Sequence, residues 1–73
     1  MREVRLEPPE GHRAMRVEMR VKVGERVEPG DIIGVIELDR ATQELEAYES
    51  MRIVRITPTS RGYHIEGDEL ETR

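Results

Sequence analysis

A chain of 73 residues suits one compact domain and no more, and with 36% apolar content and only Tyr48 and Tyr63 as aromatics its core has to be small and aliphatic. A net charge of −4 disfavours non-specific attraction to nucleic-acid phosphates, and no apolar run approaches the roughly 20 residues that cross a bilayer. With no cysteine and no visible signal peptide, the expectation is a single soluble, cytoplasmic domain over residues 1–73, held together without disulfides.

Charged residues make up 38% of the chain, an amount that could suggest disorder, but they alternate with apolar residues rather than forming blocks. In chain order, "EVRLE" alternates Val4 and Leu6 and predicts a first strand. "EPPEGHR" (7–13) reads as a surface loop stiffened by Pro8 and Pro9, with a Pro-rich ligand as a weaker reading. From Met15 to Val23 every second residue is apolar and the residues between are charged, which predicts one long strand with a buried face and a wet face. Gly24, Pro29 and Gly30 place 24–31 in turn and loop. "IIGVIEL" predicts a strand over 32–38, in which Gly34 marks a bulge or a close backbone approach.

"DRA" (39–41) reads as a tight tip, and "TQELEA" as a shorter strand with Leu45 and Ala47 inward. At the tip, Asp39 favours a type I turn through side-chain bonds to nearby backbone N–H groups, and Arg40 points into solvent. "MRIVRIT" predicts a strand closed by Pro58, and "YHIEGDELET" two short segments around Ile65 and Leu70. No segment has helical periodicity, so about six to eight short strands imply an all-β sandwich or barrel. "GERVEPGDII" (24–33) and "GYHIEGDEL" (62–70) also echo each other: Gly, an apolar residue three places on, then Gly-Asp. That echo predicts two quasi-equivalent halves feeding strands to both sheets, so that two thin sheets close on one another.

These residues resemble the lipoyl/biotinyl carrier domain family, its lipoyl branch more closely, from about Val4 to Glu71. "VKVGERVEPGDII" is similar to the family's stretch ahead of its third strand, and "ELDRATQELEA" to its Glu-Thr-Asp-Lys-Ala-Thr hairpin and the strand that follows. Nothing matches the biotinyl Met-Lys-Met tip. The resemblance implies a flattened barrel of two four-stranded antiparallel sheets with quasi-two-fold symmetry. The termini would lie close together in one sheet and the modification hairpin would project from the other. In the family the tip lysine carries lipoate, which swings between active sites of 2-oxo-acid dehydrogenase or glycine cleavage complexes.

The chain departs from that pattern in three places. Arg40, flanked by Asp39 and Ala41, stands where the family has its acceptor lysine. Leu38 replaces a common Thr, and Glu49 and Met51 occupy positions where the family has Pro and Gly. The first departure is chemical. Attachment needs an amine to attack an activated acyl adenylate, and a lysine amine with a pKa of about 10.4 has a neutral nucleophilic fraction. A guanidinium stays protonated and spreads its lone pairs over a planar system, so lipoate cannot be attached at Arg40. Of the 12 basic residues the only lysine is Lys22, which is predicted in mid-strand, where a flat sheet face is harder for a ligase cleft to enclose than a projecting tip, so its modification is disfavoured.

Nothing else builds a catalytic centre. There is no P-loop, dinucleotide glycine signature or HExxH motif. His12 and His64 lack ligand spacing, so no metal site is expected. Ser50 and Ser60 have no His-Asp context, and Glu44 and Glu46 share a solvated strand face. The expectation is a non-catalytic, lipoyl-like domain without cofactor, acting as a structural or protein-interaction module. Its partners would be proteins, among them components of a multienzyme complex. Arg40 reads first as a solvated arginine left after loss of function, and second as a recognition residue engaging a partner together with Glu37, Asp39 and Glu44. The alternative is a swinging-arm lipoyl carrier whose acceptor lysine is lost or mutated. An efflux-type adaptor domain is disfavoured, because "IELDRATQEL" leaves no room for an inserted helical hairpin.

Overall fold

The computed structural model describes residues 1–70 and contains seven strands and no helix among them: β1 (Arg2–Leu6), β2 (Arg16–Met19), β3 (Arg26–Val27), β4 (Ile32–Glu37), β5 (Thr42–Glu46), β6 (Met51–Pro58) and β7 (Tyr63–Glu69). They form two antiparallel sheets, a four-stranded one in the order β1-β7-β6-β3 and a three-stranded one in the order β2-β4-β5. The all-β reading and the adjacency of first and last strands both hold. Two sheets of four strands do not, because Thr59 N donates to Gly62 O (2.8 Å) and turns β6 directly back into β7. No segment between them is left to cross to the second sheet. The last residues of the expected C-terminal segment, 71–72, lie outside the described residues.

The core sits between the sheets and is aliphatic. Leu6 (β1), Ile33 (β4), Ile53 (β6) and Ile65 (β7) are fully buried, joined by Val21, Val27, Ile36, Ala47 and Met51. Each of these side chains apart from the smaller Ala47 contributes about 1.5–3 kcal/mol by leaving water. No polar or charged side chain is buried among the described residues, which fits a core too thin to hold one.

Four strand boundaries differ from the sequence expectation. The Met15–Val23 run yields only the short β2. Arg20 N still donates to Ile33 O (2.9 Å) and Val21 is buried, but Glu25 N then donates to Lys22 O (3.1 Å) and the chain turns with Gly24 at φ 96°. Met15 and Val23, the ends of the alternation, are 72% and 59% exposed. Conversely, the 24–31 loop contains β3, because Val27 is buried opposite Met51. Leu38 falls outside β4, and one continuous β7 replaces the two segments around Ile65 and Leu70. Val27 and Ile65, the apolar positions of the internal echo, are both buried on strands flanking β6. Their Gly-Asp pairs differ: Gly30 turns the chain at φ 93°, whereas Gly67 lies within β7 against Met51.

Gly34 fulfils both readings made of it. The β4–β5 register shifts between Ile32 and Gly34, and a Cβ at Gly34 would collide with Leu6 Cδ2 and stand 2.9 Å from Glu18 O. Leu6 of one sheet thus packs onto backbone of the other.

The β3–β4 connection is fixed by Glu28, whose carboxylate accepts from Ser50 Oγ and from Arg26 Nε (2.6 Å), while Glu28 N donates to Asp31 Oδ2 (2.8 Å). The Ser50 bond, then the Arg26 bond, hold the Glu28 carboxyl below its ordinary value of 4.5. A carboxyl whose pKa is lowered by folding adds stability above its unfolded value, and that contribution is lost as pH falls through the folded value. The link between this loop and the segment before β6 is therefore expected to loosen below pH 4.5. Ser50→Ala is expected to raise the Glu28 pKa toward its ordinary value in a carboxyl-carbon NMR titration. An unchanged titration would show that Ser50 does not bond the carboxylate.

Candidate functional site

The tip is made by the β4–β5 hairpin. Ile36 pairs with Gln43 and Glu37 with Thr42, and Leu38 N donates to Ala41 O (2.7 Å), leaving Asp39 and Arg40 as the two residues of the bend. No non-glycine residue among those described has positive φ, so the bend does not use the left-handed geometry of primed hairpin turns. Its base is held from two sides. Met15 N donates to Glu37 O (2.7 Å), and Leu38, half-buried, packs against the core. An apolar residue at that position anchors the hairpin to the core.

Asp39 and Arg40 are 90% and 95% exposed, and the nearest charged contact of Arg40 is Asp39 Oδ2, 4.0 Å from its Nε. An ion pair this exposed contributes about 0–1 kcal/mol and does not fix the side chain. The side-chain bonds expected from Asp39 to backbone N–H groups are not present among the described residues, so the β4–β5 ladder and the Leu38–Ala41 bond form the bend unaided. Glu37 and Glu44 lie exposed on the same hairpin, which gathers the four residues expected to face a partner. Met15, which sequence reasoning assigned to a buried strand face, instead lines a shallow concavity against Glu37 through Thr42. Its place at the edge of the alternating run was the available signal.

No protein family, curated protein or solved structure matches the chain. The likeness to lipoyl/biotinyl domains therefore stands on the residues quoted above.

Arg40 does not fit the role of cofactor bearer, since the group presented at the bend is a guanidinium with no amine to acylate. Lys22 is not in mid-strand. It lies exposed at the start of the Lys22–Glu25 turn, its N–H donating to Glu25 Oε1 (2.8 Å). No flat sheet face therefore shields it from a ligase cleft. What distinguishes it from a carrier tip is that β2 and β3, on either side of the turn, pair with β4 and β6 and not with each other. His12 lies in the loop after β1, and His64 on β7, with its Nε2 3.8 Å from Glu3 Oε1. Among the described residues no three His, Asp or Glu side chains gather as metal ligands. Among the described residues no helix is long and apolar enough to cross a membrane.

Proposed function

We propose that this chain is a non-catalytic, lipoyl-like domain of the barrel-sandwich type that carries no lipoate and acts as a structural or protein-interaction module. The observation that carries the proposal is Arg40, 95% exposed at the bend between two antiparallel strands within the wording "ELDRAT". A hairpin apex of this kind presents its outermost group to whatever docks there, and a planar guanidinium is suited to bidentate contact with a carboxylate or to stacking on an aromatic ring. β5 is the edge strand of its sheet, so the outer backbone of the hairpin is open to the same partner. The quasi-two-fold arrangement is supported by the way both halves contribute to both sheets, with β1 and β3 joining β6 and β7 in one and β2 and β4 joining β5 in the other.

The alternative, a swinging-arm carrier that has lost its lysine, is supported by the same hairpin. Arg40→Lys separates the two. The protein variant, incubated with lipoate, ATP and a lipoate ligase, is expected to keep its parent mass, because Leu38 and the missing Pro-Gly turn mark divergence beyond the apex. Prompt and complete lipoylation at residue 40 would instead favour the carrier reading.

A further inference from the structure

We propose that the concavity between the loop after β1 and the β6–β7 turn is a binding site for a doubly charged, phosphate-type oxyanion. The chain is acidic, with a net charge of −4, and most of its arginines are matched. Arg2, Arg5, Arg16, Arg20, Arg26, Arg40 and Arg55 each have a carboxylate oxygen within 4.0 Å, and Arg52, which has none among the described residues, donates from Nη1 to Gly24 O (2.9 Å). Arg13 and Arg61 have none among the described residues, yet both line this one concavity of about 430 Å³, together with His12 and the Ser60 hydroxyl. Among the described residues no carboxylate lines it. Of the two acids nearest in the chain, Glu7 accepts from Thr59 Oγ1 (2.8 Å) and Glu10 lies exposed in the loop.

Arg61 is pre-positioned. Its Nη2 donates to Pro8 O (2.9 Å) and Pro9 O (3.0 Å), and Pro9 O also accepts from His12 N (3.0 Å). These bonds tie the loop to the turn and consume only the donors of one guanidinium nitrogen. The Nε and Nη1 hydrogens have no protein acceptor among the described residues, and a guanidinium carries five N–H donors in a fixed fork. Arg13 has all of its side-chain donors without protein acceptors among those residues. Two guanidinium groups and an imidazole around one hollow favour a dianion over a monoanion, because each cation gains from the second charge, and the fork geometry matches phosphate oxygens. Holding Arg61 in place before binding removes part of the ordering cost.

The test is an amide NMR titration of the full chain with inorganic phosphate, with O-phosphoserine as the monoester and acetate as the monoanion, at ionic strength held constant with sodium chloride. Saturable shifts are expected at His12, Arg13, Ser60 and Arg61 with phosphate, with phosphoserine, or with both, and the tighter of the two identifies free phosphate or a phosphorylated ligand as the source. Acetate is expected to bind about tenfold more weakly, and Arg13→Gln to weaken the dianion by about tenfold, the loss of one charge-assisted hydrogen bond. Arg13 makes no bond that holds the fold, so the rest of the variant's spectrum is expected to stay unchanged. Shifts that rise linearly without saturating, saturation elsewhere on the chain, equal binding of acetate, or an Arg13→Gln variant with undiminished affinity would each overturn the proposal.

Discussion

Gly62→Ala is expected to abolish the cooperative fold. Gly62 sits in the β6–β7 turn directly before Tyr63, the partner of Leu6 in the β1–β7 ladder, and a Cβ there would be driven into the carbonyl oxygen of Leu6, with the carbonyl carbon 3.1 Å away. The obstacle is backbone, not a flexible side chain, so relief requires β1 to lift off β7. Lifting β1 withdraws Leu6, which is fully buried. Overpacking costs about 1–3 kcal/mol where side chains can adjust, and more where they cannot. The whole stability of a chain this short is about 4–11 kcal/mol. A urea titration followed by far-UV circular dichroism is expected to show no transition, or a midpoint less than half that of the parent. An unchanged midpoint would mean that β1 does not cross Gly62.

The second large effect is a coupling between the sheets. Gly34→Ala places a methyl against Leu6 Cδ1 and Cδ2 and against Glu18 O, the latter at 2.9 Å, and is expected to cost about 2–4 kcal/mol. Leu6→Ala alone removes a fully buried side chain and is expected to cost about 2–5 kcal/mol. Together the two are expected to cost less than their sum by about 0.5–3 kcal/mol, because the methyl at position 34 enters the space that Leu6 vacates. The contact with Glu18 O remains, so the rescue is partial. Measured as a double-mutant cycle with trimethylamine N-oxide present to keep all variants folded, strict additivity would show that Leu6 does not pack on Gly34.

Leu6 and Gly34 also show what could and could not be read from sequence. The alternation of Val4 and Leu6, and the β-branched run around Gly34, are local signals and give β1 and β4 nearly at their observed bounds. The same signal overextends β2. Alternation reports which side chains face inward, not where hydrogen bonding stops, and Val21 stays buried after the ladder has ended at Met19, ahead of the Lys22–Glu25 turn. β3 is too short to register in a window and is surrounded by Gly and Pro; only its pairing with Met51 and Arg52 defines it. The three-stranded second sheet follows from a tight turn at Thr59–Gly62, where the internal echo had suggested an equivalent of the first half.

At the hairpin, the exposed bend was legible because the runs on either side of "DRA" are strongly β-forming, while the capping role given to Asp39 was a propensity that the local ladder overrode. The oxyanion-type concavity was not legible at all. Arg61 meets Pro8 across 53 positions of chain, and no local pattern encodes that meeting.

That the chain carries no attached cofactor is tested most directly by the intact mass of the unaltered chain after co-expression with lipoate and biotin ligases in medium supplied with both cofactors. The parent mass alone is the expected result. An added mass equal to either cofactor, whether mapped to Lys22 or to any other residue, would contradict it.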